Sequence, residues 1–151
     1  MRYADIKEFD INNGEGIVVS LWVTGCPLKC ENCHNESIWD KSTGQEFTED
    51  TLNYILDLLS DDRLDLGFSI LGGEPLANWN YLDVLHVVKT VREKFPNKKI
   101  WLWTGYTYER VQHLEIFKYL DVVIDGMYID NLKDEKTWWR GSTNQRKIKL
   151  K

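Results

Sequence analysis

Cys26, Cys30 and Cys33 are the chain's three cysteines, spaced C-x3-C-x2-C in the run Cys26-Pro27-Leu28-Lys29-Cys30-Glu31-Asn32-Cys33. An odd, tightly clustered set is a poor layout for structural disulfides and a good one for a metal centre in a reducing compartment. A 4Fe-4S cube ordinarily takes four thiolates, one per iron, so three cysteines leave one iron without a protein ligand. A zinc site built from Cys26, Cys30, Cys33 and His34 is the plainer alternative. It asks two neighbouring side chains, Cys33 and His34, to reach one tetrahedral ion, which strains the backbone between them.

The open iron is the functional clue. It can chelate the amino and carboxylate groups of S-adenosylmethionine and place the sulfonium beside the cluster, where a low-potential electron splits the bond to C5'.

The cysteines need a platform. Gly16 to Thr24 is a β-branched and aromatic run bounded by glycines, which predicts a strand buried on both faces with Cys26 just past its end. Thr48 is placed to cap a helix carrying Glu49 and Asp50 in its first turn, with Leu52, Ile55, Leu56 and Leu59 on one stripe. Phe68 to Leu71 predicts a second strand, halted by Gly72-Gly73-Glu74-Pro75. A helix from about Asn80 to Phe95 stops at Pro96. A strand at Lys99 to Thr104, a short helix near Thr107 to Tyr119 and a strand at Val122 to Ile124 follow. Strands alternating with helices imply a parallel α/β arrangement with right-handed crossovers. Parallel strands end on one edge, so Cys26, Gly72-Gly73-Glu74, Gly105-Tyr106 and Asp125-Gly126 are expected to converge.

The bulk numbers narrow the class. Length 151, 42% apolar and 28% charged residues predict a single domain over 1–151. A net charge of -5 argues against nucleic acid, because phosphates require clustered Lys and Arg. The basic end, Arg146 to Lys151, is expected to be a solvated tail. No stretch approaches the roughly 18 apolar residues of a membrane span and no secretory h-region opens the chain, so a cytoplasmic protein is expected.

The cysteine loop after a strand ending Trp22-Val23-Thr24-Gly25 resembles the radical S-adenosylmethionine superfamily. Further segments narrow the likeness: Asn13-Gly14, Trp39, Gly44-Gln45-Glu46-Phe47-Thr48, Gly72-Gly73-Glu74-Pro75-Leu76, Trp101 to Tyr106, Asp125-Gly126 and Trp139 to Gln145. With them the chain is similar, from about residue 5 to 145, to the activating proteins of anaerobic ribonucleoside-triphosphate reductases. Asn13-Gly14-Glu15-Gly16 departs from the Asn-Gly-Pro-Gly and following arginine common there. The resemblance implies a parallel-stranded, incomplete TIM-like barrel and a glycyl-radical activase. Its 4Fe-4S cluster, held by Cys26, Cys30 and Cys33, cleaves S-adenosylmethionine and leaves a radical on a glycine of the large reductase subunit. A low-potential electron donor such as flavodoxin is implied as a second partner.

Carried over by the resemblance, Asn32, Cys33 and His34 lie beside the adenine. Gly72 and Gly73 let the backbone approach the methionine moiety, Glu74 pairs with its ammonium, and Thr104 and Tyr106 line the site. Trp101 and Trp103 share a strand face and are expected in the core. Trp138 and Trp139 are expected to anchor the segment Arg140 to Asn144 at the site rim. Two other classes stay open from the residues alone: a radical enzyme acting on a small molecule or on pyruvate formate-lyase, and a zinc-binding interaction module without catalysis.

Overall fold

A computed structural model describes residues 1–33 and 35–151. Seven strands form one mixed sheet: β1 (Arg2–Asp10), β2 (Val18–Val23), β3 (Gln45–Glu46), β4 (Gly67–Gly72), β5 (Ile100–Trp103), β6 (Val122–Asp125) and β7 (Arg146–Lys149). Their order across the sheet is β3-β1-β2-β4-β5-β6-β7. Strands β2, β4, β5 and β6 are parallel neighbours, whereas β1 pairs antiparallel with β2 and β3, and β7 antiparallel with β6.

This overturns the expected incomplete TIM-like barrel. A barrel repeats long helices between parallel strands, but here the sheet stays open, with β3 and β7 at opposite edges. Among the described residues only α1 (Glu49–Leu59) and α2 (Tyr81–Lys94) exceed one turn or so. The helix expected near Thr107 to Tyr119 is a four-residue α3 (Tyr108–Val111) and a separate 3-10 turn at Glu115–Lys118. The basic end is likewise no free tail, because Arg146 to Lys149 are bonded to β6.

Register sorts the side chains. Val19, Phe68 and Ile100 lie opposite one another on one face, and Ser20, Ser69, Trp101 and Val122 on the other. The first face meets α1 through Leu52, Ile55 and Leu59 and α2 through Val84, Val88 and Val91, all at most 2% exposed. Thr48 caps α1, its hydroxyl accepting from the Thr51 amide. The second face carries the site. Trp101, Val122 and Ile124 form a small cluster there, with Trp103 and Trp139 packed against it. Two polar bridges hold the Asn13 turn over this face: Ser20 donates to buried Asp10 at 2.7 Å, and Ser69 to the Asn13 carbonyl at 2.6 Å.

Candidate iron-sulfur site

Where β2 ends, its last backbone groups are claimed by neighbours. Gly25 N–H donates to the Ile38 carbonyl at 2.8 Å and Cys26 N–H to that of Trp39 at 2.9 Å. From the other side, Gly73 N–H reaches Val23 O at 2.9 Å and Glu74 N–H reaches Gly25 O at 2.8 Å. The Gly-Gly-Glu segment thus lies directly on the neck of the cysteine loop. A β-carbon at Gly73 would stand 2.4 Å from the Gly25 carbonyl oxygen, and one at Gly72, where φ is +114°, 2.5 Å from Val23 O. Close contact between two loops of the chain by itself requires glycine at both positions.

The loop then turns twice through left-handed backbone, at Lys29 (φ +47°) and Asn32 (φ +56°). All three cysteines are half-buried and free. Burial, opposed by the Leu28 and Lys29 amides, pushes the Cys26 thiol up; burial and the neighbouring Cys33 do the same to Cys30. The Cys33 sulfur accepts from the Asn35 amide at 3.4 Å, and the Asn35 side chain donates to the Gly72 carbonyl at 3.0 Å. Asn35, which gives no motif signal in the sequence, is therefore the link from the last cysteine to the glycine loop.

Cys26, Cys30 and Cys33 line one cavity of about 270 Å³ together with Gly72, Gly73, Glu74, Thr104 and Gly105. Its apolar walls are Trp22, Leu71, Trp103 and Trp139. Trp103, expected in the core, is at this wall, while Trp101 behind it is 2% exposed. Two carried-over residues are elsewhere. Asn32 donates to Asp130 at 2.9 Å and does not line the cavity. Tyr106 borders a neighbouring groove with Arg110 above its ring. His34 lies outside the described residues.

Glu74 is 1% exposed and held by three donors of the chain. One oxygen accepts from Gly105 N–H at 2.6 Å, the other from the Thr104 hydroxyl at 2.8 Å and Leu76 N–H at 3.0 Å. Burial outweighs these bonds and pushes its carboxyl up to about 7.

The segment Trp139 to Gln145 is explained by its own bonding. Gln145 accepts from the Gly141 and Ser142 amides and donates to the Gly126 carbonyl, Asn144 donates to Met127 O, and Arg140 pairs with Asp134 while donating to the Thr143 and Gln145 carbonyls. This brace holds Trp139 against Trp101, ring centroids 5.0 Å apart. Trp138 corrects the expectation of a paired anchor, since it is 66% exposed.

The donor set suits a cube. Among the described residues no three His, Cys, Asp or Glu side chains gather closely enough to hold one metal ion. A 4Fe-4S cluster takes one thiolate per iron from sulfurs spread around it, and all three cysteines line this cavity.

Site and sheet edge together define an iron-sulfur domain, and residues 12–148 match the family described as "4Fe-4S single cluster domain". The chain is 45% identical over 146 residues to the anaerobic ribonucleoside-triphosphate reductase-activating protein of Enterobacteria phage T4, covering 97% of this chain and 92% of that protein. The proteins of the same name from Escherichia coli (strain K12) and Vibrio cholerae are each 37% identical over 148 residues, covering 96% of both chains. The chain belongs to the family of anaerobic ribonucleoside-triphosphate reductase-activating proteins.

Proposed function

We propose that residues 1–151 act as a single domain that cleaves S-adenosylmethionine reductively and generates a glycyl radical on the large subunit of an anaerobic ribonucleoside-triphosphate reductase. The observation that carries this reading is the meeting of three cysteines, and no fourth, with Gly72 to Glu74 and the Thr104-Gly105 turn around one cavity. Cys26, Cys30 and Cys33 would hold a 4Fe-4S cluster, which would supply an open iron and the low-potential electron for cleaving S-adenosylmethionine, methionine leaving and the adenosyl fragment ending as 5'-deoxyadenosine with the α-hydrogen of the partner's glycine.

The chain's own residues supply position and shelter. The Asn35 amide aims at the Cys33 sulfur and its side chain at Gly72, so cluster loop and glycine loop move as one. Trp22, Trp103 and Trp139 give the cavity apolar walls, which shield a reactive intermediate from side reactions. Thr104, Gly105 and Glu74 add polar groups to the same lining.

Flavodoxin or a similar low-potential donor is the proposed electron source, and the cytoplasm, whose reducing poise keeps clustered thiols free, the proposed compartment. Among the described residues no helix is long and apolar enough to cross a membrane. The test is anaerobic reconstitution with iron and sulfide. A brown protein that yields 5'-deoxyadenosine from S-adenosylmethionine and reductant, and a glycyl doublet in the paramagnetic resonance of the large subunit, is expected. A colourless protein holding one zinc ion would sink the proposal, and 5'-deoxyadenosine release without the doublet would move the target to a small molecule.

A further inference from the structure

Asn80 is completely buried at the point where the Gly-Gly-Glu segment runs into α2. Its side-chain amide donates to the Thr24 carbonyl at 2.9 Å and to the Glu74 carbonyl at 3.0 Å. Thr24 precedes Cys26 by two residues. One NH2 group therefore bridges the backbones of the two loops that meet over the cavity, without itself lining it.

An asparagine at a helix start ordinarily turns its oxygen onto the amides of the first turn. Asn80 makes no such cap bond, and its Oδ1 is buried without a partner. Leaving an acceptor bare in the interior is unfavourable, so the side chain is arranged for the bridge at the helix's expense. The bridge continues through Glu74, whose backbone oxygen receives Asn80 and whose carboxylate receives Thr104 and Gly105.

We infer that Asn80 is a positioning residue that, through Glu74, sets the cysteine loop, the glycine loop and the Thr104-Gly105 turn at fixed mutual distances, so that ligand binding in the cavity depends on a side chain that never touches the ligand. The identity of that ligand as S-adenosylmethionine rests on the proposed function. The coupling of the three loops does not.

Two measurements test the two halves. Hydrogen exchange on the full chain without cluster compares Asn80→Ala with Val87→Ala, a core change in the same helix. Loss of the bridge should speed exchange at the Cys26, Glu74 and Gly105 amides together by about tenfold, the equivalent of roughly one strong hydrogen bond. Exchange at Gly105 no faster in Asn80→Ala than in Val87→Ala overturns the coupling. On reconstituted protein, Asn80→Ala should keep the wild-type iron content yet need about tenfold more S-adenosylmethionine to alter the resonance of the reduced cluster. An unchanged midpoint overturns the positioning role. No response from the wild type overturns the proposed ligand, while the exchange result still judges the coupling. Should Asn80→Ala not fold, Asn80→Asp preserves the shape and, protonated, one donor. Its effects should run in the same direction and be smaller, and wild-type behaviour in both assays overturns the inference.

Discussion

Asn32 donates its side-chain amide to the Asp130 carboxylate across 2.9 Å, pinning the turn between the second and third cysteines to the loop after β6. Its backbone is left-handed there, a conformation that costs a β-branched residue about 1–2 kcal/mol. Asn32→Gly keeps the turn and loses only the pin; Asn32→Val loses both. The glycine variant should therefore take up iron normally and release it to a chelator a few-fold faster, whereas the valine variant should take up less from the start. Equal retention by Asn32→Val and wild type would show that this turn does not shape the site.

Cys30→Ala removes one of three thiols, and the chain has no other to replace it. Iron content after anaerobic reconstitution should fall to background and 5'-deoxyadenosine formation should vanish with it. Either property surviving would dissociate this cysteine from the cluster.

Gly73→Val tests how closely the two loops approach. The added carbon meets the Gly25 backbone, which no side-chain rotation relieves. The expected result is a loss of several kcal/mol of folding free energy, of the order seen when a core is overpacked, together with poor cluster uptake. Wild-type denaturant stability with weakened S-adenosylmethionine binding alone would instead place Gly73 against the ligand.

Glu74 makes a pH prediction. Its folded-state value of about 7 exceeds the ordinary 4.5, so between those values the folded chain holds a proton that the unfolded chain has released. Stability contributed by this group is complete below pH 4.5 and declines as pH rises toward 7, by up to about 3 kcal/mol. The cluster-free chain should show that decline in denaturant titrations at successive pH values, and Glu74→Gln should flatten it. Parallel pH profiles for the two proteins would contradict the assignment.

The connection before β6 relies on another buried charge. Arg92 of α2 pairs with Asp121 at 2.5 Å and also donates to the Tyr119 and Lys98 carbonyls. Arg92→Ala leaves Asp121 in a nearly closed pocket with only the Ile100 amide on the same oxygen. A loss of about 3–5 kcal/mol is expected, read from the denaturant midpoint. A change under 1 kcal/mol would mean that water reaches this carboxylate freely.

Legibility followed the strength of local signals. The parallel strands were readable because both of their faces are buried, so each is a short apolar run, and α1 because its stripe is uninterrupted. β1 was not, since Arg2 to Phe9 is mostly exposed and its alternation is blurred by Asp5, Lys7 and Glu8. β7 is made by pairing alone: nothing intrinsic to Arg-Lys-Ile-Lys demands a strand, and the open backbone of β6 supplies the partner. The antiparallel flanks that exclude a barrel therefore lay in the least patterned sequence. At the site, the cysteines, the glycines and the converging strand ends were visible as residue types at particular spacings. Asn35, Asn80 and the burial of Glu74 were not, because each is defined by a partner distant in sequence: Gly72, Thr24 and Gly105 respectively.

The outermost strands have a bearing on the company this molecule keeps. At one margin β3 offers just Gln45 and Glu46, too short a ledge for a foreign strand to settle on; at the other, β7 is four residues long, with Arg146 and Lys147 held by Asp125, Glu109 and Glu15 of the same chain and Lys149 exposed. Ribbon-like stacking of copies is opposed at both margins.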